Sequence, residues 1–189
     1  PGAYPVCTSD TLRFVRAGYD FSAQDVEEEI EEYPVGHSAA FLARARRTGR
    51  PYMTAALARV NASWDALSKD ARYAAAKAGL RPPEYNSFAN NIAQAVELVD
   101  VLDRCSALCR RLAADESVPF EVRAGRGVGF TEAPRGALFH ILDINGEGRI
   151  ERASIMTPTA QNIANLEADM RQLAEKMVAG GYDADLITL

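Results

Sequence analysis

The sequence predicts an α+β chain, mainly α with a small antiparallel β element. Residues about 86–114 repeat apolar side chains at helical spacing, and residues 160–178 do so again. Between them, two apolar runs flank Asn145-Gly146-Glu147-Gly148, a good hairpin loop. With 189 residues the chain can bury one real core. Apolar residues at 48% and charged residues at 25% exclude a disordered or fibrous chain. No apolar run approaches the roughly 18 residues of a membrane span. A net charge of -5 disfavours a nucleic-acid partner, which needs a basic face. Three cysteines are no disulfide framework and point to a reducing, cytoplasmic setting.

The first 20 residues mix aromatics with Gly and Pro and show no period. Asp20 to Tyr33 reads as a helix. Ser22 caps it, Asp25 stands at the third place after the cap, and Val26, Ile30 and Tyr33 share a face. Asp25, Glu27, Glu28, Glu29, Glu31 and Glu32 read as a solvated face rather than a metal site. Pro34 and Gly36 end this helix. His37 to Arg50 is a short helix or a packed irregular segment. Its arginines, Arg44, Arg46, Arg47 and Arg50, either pair with the preceding acids or meet a partner chain. Ser68 to Gly79 is a small helix with a Ser cap, an Ala-rich body and a Gly stop.

The long helix presents Phe88, Ile92, Ala95, Val96, Val99, Leu102, Cys105, Cys109 and Leu112 as its apolar stripe. Glu97, Asp100, Asp103, Arg104, Arg110 and Arg111 lie opposite. Such a helix is usually a bundle member. Cys105 and Cys109 read as core packing, because no His or third Cys stands near to complete a metal site. Val118, Phe120 and Val122 alternate with polar neighbours, and Gly125-Arg126-Gly127-Val128-Gly129 follows. A strand rather than a helix comes next, which rules against a dinucleotide loop. Ala137 to Ile144 and Arg149 to Met156 read as strands. His140, alone among apolar neighbours, reads as a core histidine, and two scattered histidines support no catalytic triad. The last helix faces inward through Ile163, Leu166, Met170, Leu173 and Met177, and Gly180-Gly181 stops it. The organisation is a single unit, 1–189, with a mainly helical part (1–117), a β-hairpin region (118–159) and a C-terminal helix and tail (160–189).

Thr131-Glu132-Ala133-Pro134-Arg135-Gly136 is not explained by packing alone. Pro134 cannot serve a central ladder, so the chain turns there and aims Arg135 at a partner group. A guanidinium offers five donors in a fixed fork, suited to anionic or acceptor groups. The structural alternative is a Glu132–Arg135 pair.

Gly129-Phe130-Thr131-Glu132-Ala133-Pro134-Arg135-Gly136-Ala137-Leu138-x-His140, followed by Pro158-Thr159-x-x-Asn162, resembles the large subunit of nickel–iron hydrogenases. Ala56 to Asn61 and Phe88 to Leu98 are similar to the cytosolic sulfhydrogenase or NAD(P)-linked branch. The resemblance covers essentially the whole chain and implies a segment of that family's helical-bundle fold. It implies part of an enzyme catalysing H2 ⇌ 2H⁺ + 2e⁻ at a nickel–iron centre with cyanide and carbon monoxide ligands. In the family, two Cys-x-x-Cys pairs hold the metals. Cys7, Cys105 and Cys109 do not match them, so no nickel ligand is expected here and the chain alone is expected to be inactive.

By the same resemblance, Arg135 and Thr159 would donate hydrogen bonds to the iron-bound cyanides, with Pro134 helping. Arg135 would also lie beside the reacting side of the metals, a catalytic role. Ile155 falls where the family places a backbone carbonyl on magnesium. The branch usually has Lys where Phe41 stands. Implied partners are the other segments of the large subunit, NAD(P)-reducing subunits and an iron–sulfur small subunit. Both ends, Pro1 and Leu189, read as cut from a longer polypeptide. Two alternatives stand beside this reading: a non-catalytic hydrogenase-like scaffold, and a helical interaction module.

Two structural expectations follow. The chain should expose apolar surface, above all along the long helix. Arg135 and Thr159 should converge on one concavity; otherwise Thr159 should merely cap the helix that starts at Ala160.

Overall fold

Ala137, Phe139 and Ile141 are two apart, so an extended strand sends them to one face. All three are buried, and they form the centre of one of two cores. The computed structural model describes residues 10–110 and 119–183. The expectations for Cys7, Arg111, Leu112 and Val118 fall outside those residues.

Strands β1 (Thr11–Phe14) and β2 (Tyr19–Ser22) form a hairpin. A single helical turn, α1 (Val26–Glu29), leads into a second hairpin, β3 (Ile30–Val35) and β4 (Ser38–Ala45). Three helices follow: α2 (Ala56–Ser63), α3 (Lys69–Lys77) and α4 (Asn90–Cys109). A three-stranded antiparallel meander comes next, β5 (Gly125–Ala133), β6 (Gly136–Ile144) and β7 (Ile150–Met156), with β6 in the middle. Helix α5 (Pro158–Ala179) closes the described chain.

The first core joins the helices through Leu57, Val60, Leu67, Ala71, Ala75, Ala93 and Val96. The second packs Phe139, Ile141 and Met156 against Phe21, Val26, Ile30 and Ala43. Helix α5 lies against β4 and β6 rather than joining the α2–α4 group. The α+β class holds, while the β content is larger than the small element expected. Among the described residues no helix is long and apolar enough to cross a membrane.

The expected α3 forms as read: the Ser68 hydroxyl accepts from Ala71 N–H at 3.1 Å, and Gly79 ends it at φ +77. The expected helix over Asp20 to Tyr33 forms only over Ala23–Asp25, a 3-10 turn, and Val26–Glu29, with the Ser22 hydroxyl capping it by accepting from Gln24 N–H at 3.2 Å. From Ile30 the chain pairs as strand instead, because the arginines of the next segment stand across a hairpin from the glutamates. Glu31 is directly opposite Arg44, whose Nε donates to Glu31 Oε2 at 2.8 Å. Arg47 donates to the buried Glu29. The basic run therefore pairs with the acids, and His37 to Arg50 is largely strand rather than helix. Pro34 sits at the one irregularity of this hairpin, where its missing N–H breaks no regular ladder. The part before residue 118 thus carries two hairpins beside its helices.

Helix α4 spans the expected residues but buries a different face. Ala93, Val96, Glu97 and Asp100 are buried, whereas Phe88, Ile92 and Leu102 are exposed. Two acids expected on the solvent side face inward because cations and N–H groups meet them there. Asp100 accepts from Ser68 N–H at 2.7 Å and from Arg104. Cys105 and Cys109 are exposed, not core-packed. On α5, Gln161 and Ala164 are buried, while Leu166, Met170 and Leu173 are exposed. His140 is exposed too, since it alternates out of phase with buried Phe139 and Ile141. Gly125, Gly127 and Gly129 lie inside β5 and open no helix.

Candidate functional site

Ala133 pairs with Gly136 at the end of the β5–β6 ladder, leaving Pro134 and Arg135 as a two-residue turn. Two-residue hairpins favour turns whose first central residue has positive φ. Proline cannot supply that, and no non-glycine residue among those described has positive φ. Side chains from elsewhere in the chain hold this turn instead.

Arg59 of α2 does most of it. Its Nε and Nη2 donate to the two carboxylate oxygens of Glu97 on α4, each at 2.7 Å. Nη1 donates to Glu132 Oε2 at 2.9 Å and to the Ala133 carbonyl at 3.1 Å. Nη2 also donates to the Pro134 carbonyl at 3.0 Å. Burial works against its charge, yet Glu97 and Glu132 outweigh that and raise its pKa above the ordinary arginine value. Burial pushes the Glu132 carboxyl up, while Arg59 opposes and Glu97 adds to the rise.

Asn162 of α5 holds the other side: Nδ2 donates to the Arg135 carbonyl at 2.9 Å, and Oδ1 accepts from Thr54 N–H at 2.9 Å. Gly136 has φ +131, and a Cβ there would lie 1.8 Å from the Thr54 carbonyl oxygen. Only glycine allows that approach. Buried Gln161 donates to the Ala137 carbonyl at 2.7 Å and accepts from the Tyr52 hydroxyl at 3.1 Å. The start of α5 is thereby tied to the start of β6.

Thr157, not Thr159, caps α5: its hydroxyl accepts from Ala160 N–H at 3.3 Å. Pro158 occupies the first turn, where a missing N–H costs nothing. The Thr159 hydroxyl is left free for another role. Thr159 and Arg135 line one concavity of about 190 Å3 with Ala55, Asn90, Gln94, Asn162, Ile163 and Leu166. Among the described residues neither the Arg135 guanidinium nor the Thr159 hydroxyl has a hydrogen-bond partner. The structural alternative for Arg135 fails, because Glu132 pairs with Arg59. A larger cleft of about 1030 Å3 is lined in part by Arg59 and Glu132, whose charges already meet each other. The smaller concavity holds the unspent donors.

Pro134 contributes a held carbonyl to the turn and does not line the concavity. Ile155 is exposed on the edge strand β7, opposite His140 and outside the lining. Sequence reasoning assigns no role to Arg59, Asn90, Gln94 or Asn162, although all four lie in stretches that carry the resemblance. A buried-charge partner more than thirty residues away leaves no local pattern to find. Among the described residues no group of three or more His, Cys, Asp or Glu could hold a metal ion.

No family model matches the chain. The chain is 38% identical over 165 residues to the alpha subunit of sulfhydrogenase 1 of Pyrococcus furiosus, covering 84% of this chain and 37% of that protein. It is 30% identical over 179 residues to a vhu subunit of the F420-non-reducing hydrogenase of Methanococcus voltae, covering 88% of this chain and 42% of that one. The chain belongs to the nickel–iron hydrogenase large-subunit family. It spans about two fifths of the length of these curated relatives. Its fold matches that of an NAD+-reducing NiFe-hydrogenase in the H2-reduced state, with a TM-score of 0.66 at 19% identity over 79% of this chain and 35% of that one. In this fold the Pro134–Arg135 turn and the start of α5 are neighbours, joined by the hydrogen bond from Asn162 to the Arg135 carbonyl.

Proposed function

We propose that this hydrogenase large-subunit segment forms one wall of a nickel–iron centre, in an enzyme catalysing H2 ⇌ 2H⁺ + 2e⁻. The observation that supports this is the convergence of Arg135 and Thr159, two unspent donors 24 positions apart, on one concavity. A guanidinium and a hydroxyl without acceptors suit anionic acceptor groups, and metal-bound cyanides are such groups. When bound, the centre supplies the two-electron chemistry of dihydrogen, its cysteine ligands coming from other parts of the large subunit.

The chain's own residues bind, orient and shield. The planar Arg135 fork fixes an acceptor in direction as well as distance. The Thr159 hydroxyl gives a second, differently angled bond. Ala55, Ile163 and Leu166 line the same concavity with apolar surface, and the other segments of the large subunit, by covering it, would exclude water and strengthen both bonds. The Arg135 guanidinium carries donors and no acceptor, so its part is to hold and orient negative charge. The magnesium contact proposed for the Ile155 carbonyl is a separate site on β7.

Phe88, Leu98, Leu102 and Leu108 on and before α4, and Leu166, Met170 and Val178 on α5, are more than half exposed. These faces would dock an iron–sulfur small subunit together with the other segments of the large one, and electrons would pass from there to NAD(P)-reducing subunits.

The test is Arg135→Lys in the assembled enzyme. Lysine keeps the charge and loses the fork, so turnover should fall about tenfold or more while nickel and iron per protein stay near wild type. Unchanged turnover would remove Arg135 from the site.

A further inference from the structure

We propose that Arg59 is a positioning residue for Arg135: by holding the two carbonyls that precede Arg135, it sets where that guanidinium lies in the concavity. The inference rests on the reading of Arg135 as a donor to the nickel–iron centre.

A guanidinium has five N–H donors. Arg59 makes five hydrogen bonds, from Nε once and from each Nη twice. Its side chain is only 9% exposed, and that of Glu97 10%. The bidentate pair with Glu97 fixes the plane of the fork relative to α4. With the plane set, the remaining donors point at Glu132 and at two successive peptide carbonyls of the turn.

Asn162 completes the hold by donating to the third carbonyl, that of Arg135 itself. Three consecutive carbonyls, of Ala133, Pro134 and Arg135, are therefore fixed by side chains from two helices. Fixing successive peptide planes fixes the Cα–Cβ direction between them. The Arg135 side chain leaves the backbone along that direction, so Arg59 acts on the concavity without touching it. Lysine could not do this: it carries three donors on a single point and has no plane to transmit.

The test uses the assembled, metal-loaded enzyme in the variants Arg59→Lys, Arg135→Lys and the double. The readouts are metals per protein, turnover and the infrared stretching bands of the metal-bound cyanides. Arg59→Lys should keep its metals and lower turnover about tenfold to a hundredfold, the size expected of a misplacement near 1 Å. Its cyanide bands should move in the same direction as those of Arg135→Lys, and the double variant should be no worse than Arg135→Lys alone. Unmoved bands in Arg59→Lys beside moved bands in Arg135→Lys would overturn the positioning role and leave the donor reading standing. So would a double variant whose loss is the product of the single losses. Unmoved bands in Arg135→Lys would overturn the donor reading, and this inference with it. If Arg59→Lys does not assemble, Glu97→Gln decides. It keeps the guanidinium and weakens its anchor, so a smaller band shift of the same sign is expected, and no shift overturns the proposal.

Discussion

Strand β6 is entered through one turn and left through another, and the two are built on opposite plans. The turn at Asn145 to Gly148 is held by its own residues. Asn145 Oδ1 accepts from Glu147 N–H and Arg149 N–H, each at 3.0 Å, and Gly148 supplies φ +80. The turn at Pro134–Arg135 is held from outside, by Arg59 more than seventy residues earlier and by Asn162, 27 residues later. A turn that only connects can carry its own instructions in four residues. A turn that presents a side chain cannot spend that side chain on holding itself. The bonds come from elsewhere, and Arg135 is left free.

Breaking the outside support should cost most. Arg59→Met removes one partner of the buried Arg59–Glu97 pair, a loss that costs about 3–5 kcal/mol. Urea unfolding of the chain should show this as a large fall in the midpoint. A change within about 0.5 kcal/mol would mean that the turn supports itself.

A matched pair of substitutions sharpens the contrast. Gly136→Ala should cost about 3 kcal/mol, the upper end of backbone strain, because the Thr54 carbonyl must also move. Asn145→Ala should cost about 1 kcal/mol, since it removes only local hydrogen bonds. Equal losses in the two variants would contradict the difference in plan.

Acid and base should separate the two ends of the sheet by sign, with a smaller effect. Near the Asn145 end, the Arg152 hydrogen bond holds the Glu27 carboxyl low, burial opposes, and the charges of Arg152 and Arg126 add to the lowering. A lowered folded value means stabilisation that is present above the ordinary 4.5 and lost as pH falls through the folded value. At the Arg135 end, burial raises Glu132. Its contribution is full below 4.5 and is lost as pH rises through the folded value. In unfolding midpoints followed against pH, Glu27→Gln should flatten the acid loss and Glu132→Gln the loss on the way to neutrality. The Glu27 effect should be about 0.5 kcal/mol or less, as for exposed ion pairs. Parallel profiles for the two variants would refute the opposite signs.

The same contrast explains what can be read from the sequence. The Asn145 hairpin, α3, α4 and α5 are specified by neighbours in the chain: turn residues, caps and helical period. Strand β3 reads wrongly as helix because Ile30 and Tyr33 continue the helical spacing that Val26 begins in α1, and the facing arginines select the strand. The face of α4 reads wrongly for a related reason. Glu97 and Asp100 are buried by partners thirty or more residues away, so apolar period points to the wrong side. In the site, Arg135 and Thr159 are legible through a turn that packing does not explain and through the resemblance it carries. Arg59 and Asn162 are not, because a side chain that acts by holding a distant carbonyl has no mark in its own neighbourhood.

The most direct test is a structure of the assembled enzyme with its metals bound, in which the contacts of two side chains are measured. An Arg135 guanidinium nitrogen and the Thr159 hydroxyl should each lie about 2.7–3.2 Å from the nitrogen of a metal-bound cyanide. Arg135 paired with a carboxylate, or the concavity filled by another side chain of the large subunit, would contradict the donor role.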